Sequence, residues 1–242
     1  MAKLNTNSNT YTILYAAGIV IVVAFLLAFV SSALKPTQDA NVAIDKKQQI
    51  LASLNLRNVE KTETEAKFAE VIQQDMIYDV ASTDVLDEGK SESKDRAGFK
   101  VESKEFSAKR PFYIATVDGA TKYVIPVTGA GLWGGIWGYI ALDDDCETVF
   151  GTYFSHESET AGLGARITED WFQTSFAGKK LHAADDASVI ALSVVKKGKE
   201  GNMSPDNYVN GVTGATLTSN GVNDMIQKCL GAYQDILAQY KK

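Results

Sequence analysis

Hydroxyl side chains crowd one short stretch of the chain. Thr213, Thr216, Thr218 and Ser219 stand around Gly214 and Ala215 in Thr213-Gly214-Ala215-Thr216-Leu217-Thr218-Ser219-Asn220. Residues 198–211, just upstream, form a loop rich in Gly, Asn and Ser. Downstream, Val222, Met225, Ile226, Cys229, Leu230, Tyr233, Ile236, Leu237 and Tyr240 recur at the spacing of an amphipathic helix. A loop of small residues feeding a helix start presents unpaired backbone N–H groups, and these attract phosphate. A hydroxyl at that place can donate a hydrogen bond or be esterified. The same composition also serves ordinary helix capping. The spaced glycines and Gly-Lys-Ser/Thr ending of a nucleotide phosphate loop are absent.

The stretch resembles the flavinylation motif Ser/Thr-Gly-Ala-Thr-x-Ser/Thr, matched in full by Thr213, Gly214, Ala215, Thr216, Leu217 and Thr218. That motif marks proteins that carry FMN through a phosphoester to threonine. Two further segments resemble the same FMN-binding domain family. Gly131-Leu132-Trp133 with Ile136-Trp137-Gly138-Tyr139 is similar to its glycine–tryptophan segment. His156-Glu157-Ser158-Glu159-Thr160-Ala161-Gly162-Leu163-Gly164 is similar to His-x-x-Glu-Thr-Pro-Gly-Leu-Gly. Within the family, the chain resembles the C subunit of Na+-translocating NADH:quinone oxidoreductases, and next the G subunit of the related Rnf complex. The resemblance spans nearly the whole chain apart from the charged region around 84–108. Asn210 stands where Asp is usual, Thr213 for the commoner Ser, and Ala161 for Pro. The acceptor hydroxyl of Thr216 is kept.

The resemblance implies FMN attached covalently to Thr216 by a phosphoester, with Thr213, Gly214, Ala215 and Thr218 around it. It implies one-electron relay within a membrane oxidoreductase, other membrane and flavoprotein subunits as partners, and a flavin transferase for maturation. No NADH site is expected, because no Gly-x-Gly-x-x-Gly follows a strand. An Rnf-type G subunit is the alternative of like chemistry. An anchored assembly or binding module that never receives flavin is the alternative of another class.

A flavin needs a fixed phosphate, a face to stack on and polar groups that tune its ring. Trp133, beside Leu132 and several glycines, is the stacking candidate, with Leu163 opposite; core packing is the plain alternative for Trp133 and Trp137. Glu159 and Thr160 either hydrogen-bond the flavin or phosphate region, or form a turn before Gly162 and Gly164. His156 invites proton transfer, yet a structural histidine at a strand end accounts for it as well. Lys196, or its neighbour Lys197, reaches the flavin edge or the phosphate, or else is a solvated strand end. No Ser–His–Asp or metal-ligand spacing occurs. Cys146 and Cys229 form no CxxC pair and read as buried thiols.

The elements that must position these residues begin with an anchor. No charged side chain lies between Lys3 and Lys35. Residues 12–34 are mostly Val, Ile, Leu, Ala and Phe and, as a helix, reach roughly 34 Å, enough to cross a hydrocarbon core of about 30 Å. The run exceeds the apolar stretch of a signal peptide, so a retained transmembrane helix is expected. Charge counting does not fix its orientation. The resemblance implies a single pass through the inner (cell) membrane with the soluble domain on the non-cytoplasmic side.

The expected organisation is a tail at 1–11, the transmembrane helix at 12–34, a helical and charged linker region of the soluble domain at 35–110, and an FMN-binding core at 111–242. Helices are expected at 42–54, 62–76, 169–176 and 219–240, and a solvated loop at 84–110. Strands are expected at 112–117, 123–127, 136–142, 148–155 and 188–195, with a hairpin turn at Asp118-Gly119. This pattern predicts an α+β domain with a mostly antiparallel sheet flanked by helices. The net charge of −6, without a basic block, excludes nucleic acid as a partner.

Overall fold

The computed structural model describes residues 8–90 and 97–241. The first seven residues of the tail, and residues 91–96 within the charged stretch 84–110, lie outside the described residues. The chain divides into two units, residues 1–45 and 46–242.

Helix α1 runs from Asn9 to Ser53 without a break, with Pro36 inside it. The separate helix expected at 42–54 is therefore the end of α1. Of the helices in the described residues, α1 is the one long and apolar enough to cross a membrane. In the first unit its apolar side chains are exposed, Phe25 at 69%, as a lipid-facing surface would be. In the second unit its end is buried at Ile50 and Leu51.

The second unit holds a six-stranded antiparallel sheet in the order β2-β1-β3-β4-β5-β6. Its strands are β1 (Ile72–Asp79), β2 (Val85–Lys90), β3 (Lys109–Val117), β4 (Ala120–Ala130), β5 (Gly135–Leu142) and β6 (Val149–His156). Asp118 and Gly119 turn β3 into β4 with φ of 50° and 77°, the left-handed pair a two-residue hairpin requires. Helix α2 stops at Val71 (Thr64–Val71) rather than running on to Met76, and Ile72 begins β1. The alternating apolar positions Ile72, Met76 and Tyr78 satisfy a sheet face as well as a helix face, and pairing with β3 decides for the sheet. The stretch expected to be a loop at 84–110 contributes β2, the short helix α3 (Ala97–Lys100) and the start of β3. The sheet thus does not begin at residue 111: two of its strands come from the span read as linker.

One face of the sheet is covered by α5 (Thr216–Tyr240), which buries Val222, Met225, Ile226, Leu230 and Tyr233 against Phe112, Ile125 and Val127. Helix α4 (Asp170–Thr174) adds Phe172 to the same core. The expected strand at 188–195 shrinks to β7 (Ser193–Val195), which pairs in parallel with β8 (Tyr208–Asn210). Helix α5 begins at Thr216, three residues before the expected start at 219.

Close approach of α5 to β4 depends on Gly221. A Cβ there would lie 2.3 Å from the carbonyl oxygen of Ala130, a distance no side chain tolerates. This contact seats the first turns of α5 on the end of β4, where the chain enters the turn at residues 131–134.

Candidate functional site

The loop from β8 into α5 is tied down by its own side chains. Ser219, buried, accepts a hydrogen bond on Oγ from the Val212 N–H at 3.0 Å. Asn223 Oδ1 accepts from the Val194 N–H at 3.0 Å, holding β7 to α5. Ala215 is the residue before the helix and supplies no side-chain cap. The first N–H to find a carbonyl within this turn is that of Ser219, bonded to Ala215 O. The N–H groups of Thr216, Leu217 and Thr218 precede it and point out of the helix start, where a negative charge is favoured.

The hydroxyls of the motif separate into two kinds. Thr218 is 1% exposed, and its Oγ1 donates to Glu159 Oε2 at 2.6 Å. Ser219 holds the loop. Thr213 and Thr216 are exposed and, among the described residues, have no side-chain hydrogen-bond partner. Thr213, Gly214, Thr216 and Ser219 line a cleft of about 440 Å3 together with Lys196, Lys197 and Asn220. Lys196 and Lys197 are the only charged residues of its lining.

On the adjoining surface, apolar side chains stand in solvent: Leu132 at 46%, Trp133 at 65%, Leu163 at 44% and Leu217 at 60% exposure. Leu163 stands beside Gly214 of the cleft lining, and Glu159 joins Trp133 to Thr218, the residue after Leu217; exposed apolar side chains so placed mark a surface that something covers. Residues 158 and 159 fix the turn that carries Leu132 and Trp133. Trp133 N–H donates to Glu159 Oε1 at 2.8 Å, and the Ser158 hydroxyl donates to the Trp133 carbonyl at 2.7 Å. The carbonyl of Thr160 accepts from the N–H groups of Leu163 and Ala165, with Gly162 at φ 77° inside this turn. The Thr160 side chain is exposed.

Glu159 is buried. Burial pushes its carboxyl up, but hydrogen bonds from Thr218, Trp133 and Leu132 outweigh that and hold it below the usual carboxylate range. Its own N–H donates to His156 Nδ1 at 3.2 Å, so a neutral His156 carries its proton on Nε2.

The structure thus brings Thr213, Gly214, Thr216 and Lys196 into one cleft, and Leu132, Trp133 and Leu163 onto the adjoining surface. Glu159 and Thr218 bond to each other beneath that surface. Trp137 lies apart: its Nε1 donates to Gln49 Oε1 in α1 at 3.1 Å. Ser158, Ser219 and Gly221 also hold the site, in roles that the sequence did not assign to them. Only the spacing of Gly221 within the helix pattern hints at a close contact.

The model of the FMN-binding domain family matches residues 131–231, which includes the turn at Trp133, Glu159 and the threonine stretch. The C subunit of the Na(+)-translocating NADH-quinone reductase of Haemophilus ducreyi is 32% identical, over 100% of this chain and 98% of its own length. The chain belongs to the family of the C subunit of the Na(+)-translocating NADH-quinone reductase. The C subunit of Pseudomonas aeruginosa is 30% identical, over 98% of both chains. A crystal structure of the C subunit from Parabacteroides distasonis is 36% identical and superposes with a TM-score of 0.74, over 84% of this chain and 96% of that one. NqrC of Shewanella oneidensis, at 23% identity and a TM-score of 0.67, shares the fold. Membership makes the chain a flavoprotein-type subunit of an ion-translocating oxidoreductase, with one apolar helix near its N-terminus.

Proposed function

We propose that this chain carries FMN as a phosphoester on Thr216 and relays electrons between other subunits of a Na+-translocating NADH:quinone reductase. The observation that carries this reading is the idleness of the Thr216 hydroxyl. Thr218 and Ser219 hold the fold, whereas Thr216 is exposed and caps nothing. Hydrogen bonds to Glu159 and Val212 therefore account for its neighbours and leave Thr216 free for ester chemistry.

The residues present fit the cofactor. In the ester, Thr216 Oγ1 bonds phosphorus, and the protein gains one FMN less one water. The remaining negative charge is favoured by the N–H groups at the start of α5 and by Lys196 and Lys197 across the cleft. Trp133, Leu132 and Leu163 offer apolar surface to a flat ring. When bound, FMN supplies reversible electron transfer, and the chain's own residues orient it. Covalent attachment keeps the cofactor on an exposed surface without a deep pocket, at no repeated cost of binding.

A flavin transferase forms the ester, α1 anchors the chain in the inner membrane, and the second unit lies on the non-cytoplasmic side. The test is a denatured, washed gel band from protein co-expressed with a flavin transferase. Ultraviolet fluorescence of that band, with an intact mass higher by FMN less water, is expected. A dark band of unmodified mass would leave an anchored assembly module as the reading.

A further inference from the structure

Glu159 lies where three segments meet that are remote in sequence. Its Oε1 accepts from the Trp133 N–H at 2.8 Å, its Oε2 accepts from the Thr218 hydroxyl at 2.6 Å, and its N–H reaches His156 at 3.2 Å. Two glycines make room for the carboxylate. A Cβ on Gly131 would lie 2.4 Å from Oε1, and one on Gly164 would lie 2.3 Å from Oε2. Either would expel the carboxylate from its place.

Among the described residues, no lysine or arginine forms an ion pair with Glu159. Its charge is stabilised chiefly by N–H and O–H donors, with His156 adding to the effect, at the positive end of α5. A buried charge held in this way is costly unless every donor stays in place, so the contact is rigid. Thr218 sits one helical position beyond Leu217 and two beyond Thr216. A side chain bonded both to Thr218 and to the main chain of Trp133 therefore fixes the threonine acceptor relative to the exposed indole.

We propose that Glu159 is a positioning residue: its carboxylate locks the turn at Leu132 and Trp133 to the first turn of α5, and so sets where the ring carried by Thr216 rests and which charge it feels. This rests on the reading of Thr216 as the FMN acceptor. Glu159 acts through Trp133 and Thr218 rather than by touching the flavin. Its fixed negative charge opposes the arrival of an electron nearby and keeps the flavin potential low.

The experiment compares wild type, Glu159→Gln and Thr218→Val as full-length flavinylated protein in detergent. Intact mass is read first, then amide exchange at Leu132 and Trp133, the visible flavin spectrum and its midpoint potential. Glu159→Gln should keep the covalent mass, speed exchange of the Leu132 and Trp133 amides at least tenfold, shift the flavin spectrum and raise the potential. Thr218→Val keeps the charge and removes one arm, so it should shift the spectrum with less change in potential. A wild-type spectrum and wild-type potential in both variants, at full flavin occupancy, overturn the proposal. Should Glu159→Gln not fold, Thr218→Val alone decides by its spectrum. If wild type carries no flavin mass, the Thr216 reading fails separately. The exchange comparison between flavin-free wild type and variants then still tests the lock, and equal exchange overturns it.

Discussion

Leu163 lies over Gly214: its Cδ2 stands 3.1 Å from the place a Cβ on Gly214 would occupy. The contact joins the loop after β6 to the loop before α5. Gly214 also has φ of 83°, a conformation that costs an L side chain about 1–2 kcal/mol. Gly214→Ala should therefore lose about 1–2 kcal/mol, plus the crowding against Leu163, in denaturant unfolding of the soluble unit. Adding Leu163→Ala should recover the crowding and leave the backbone cost. Full additivity of the two losses would show that the contact carries no coupling.

Thr216→Val deletes one exposed hydroxyl that bonds nothing. Stability should stay within about 0.5 kcal/mol of wild type, while covalent flavin disappears entirely. Thr213→Val should retain attachment, because its hydroxyl contributes at most a hydrogen bond of about 1 kcal/mol to a charged partner. Peptide fragmentation that maps flavin to any residue but Thr216 would refute the assignment.

Trp133→Ala should keep the flavinylated mass and change the flavin's absorption and quenching, since its indole is 65% exposed and free to stack. An unchanged spectrum in the flavinylated variant would remove Trp133 from the flavin's surroundings.

Asp75 is the acid whose titration should mark the pH dependence of stability. Burial pushes its carboxyl up to about 7, against the opposing N–H groups of Phe99 and Gly98 and the Lys46 charge, with Asp87 and Tyr113 also facing it. The folded state then holds a proton that the unfolded chain releases near 3.8. Stability from this group is greatest below about 4, falls as pH rises toward 7 by about 1.4 kcal/mol per unit at most, and is level above. Asp75→Asn should flatten that part of the profile. Melting temperatures of both proteins between pH 4 and 8 check this, and parallel profiles would contradict it.

A chain lacking residues 1–34 should be soluble without detergent and melt cooperatively. The apolar residues removed are exposed in the first unit and fill no core. Aggregation without a cooperative transition would count against this division.

Most strands and α5 were readable because their apolar periods are long and flanked by turn residues. The hairpin at Asp118-Gly119 was readable for the same reason. The stretch 62–76 misled because Ile72, Met76 and their neighbours suit both periods, and only the partner strand β3 selects one. The charged run at 84–90 hid β2, an edge strand whose ladder is half solvated and so needs little apolar sequence. At the site, Thr216, Trp133 and Lys196 could be named from motifs. The division of labour among the hydroxyls could not, because it depends on Glu159 approaching from 59 residues away and on how the loop folds Val212 back onto Ser219. Short spacing told nothing of which threonine would be buried.

The bonds at Glu159 span 26 residues to Trp133 and 59 to Thr218. The threonine hydroxyl exists as soon as its codon is read, but the surface around it forms only when β4, β5, β6 and α5 have assembled. On the reading proposed here, flavin attachment is then a late event in biogenesis, open to a maturation enzyme that senses shape. A chain that stalls while folding stays dark, so flavin fluorescence doubles as a readout of how much of the protein in a cell has reached its native state.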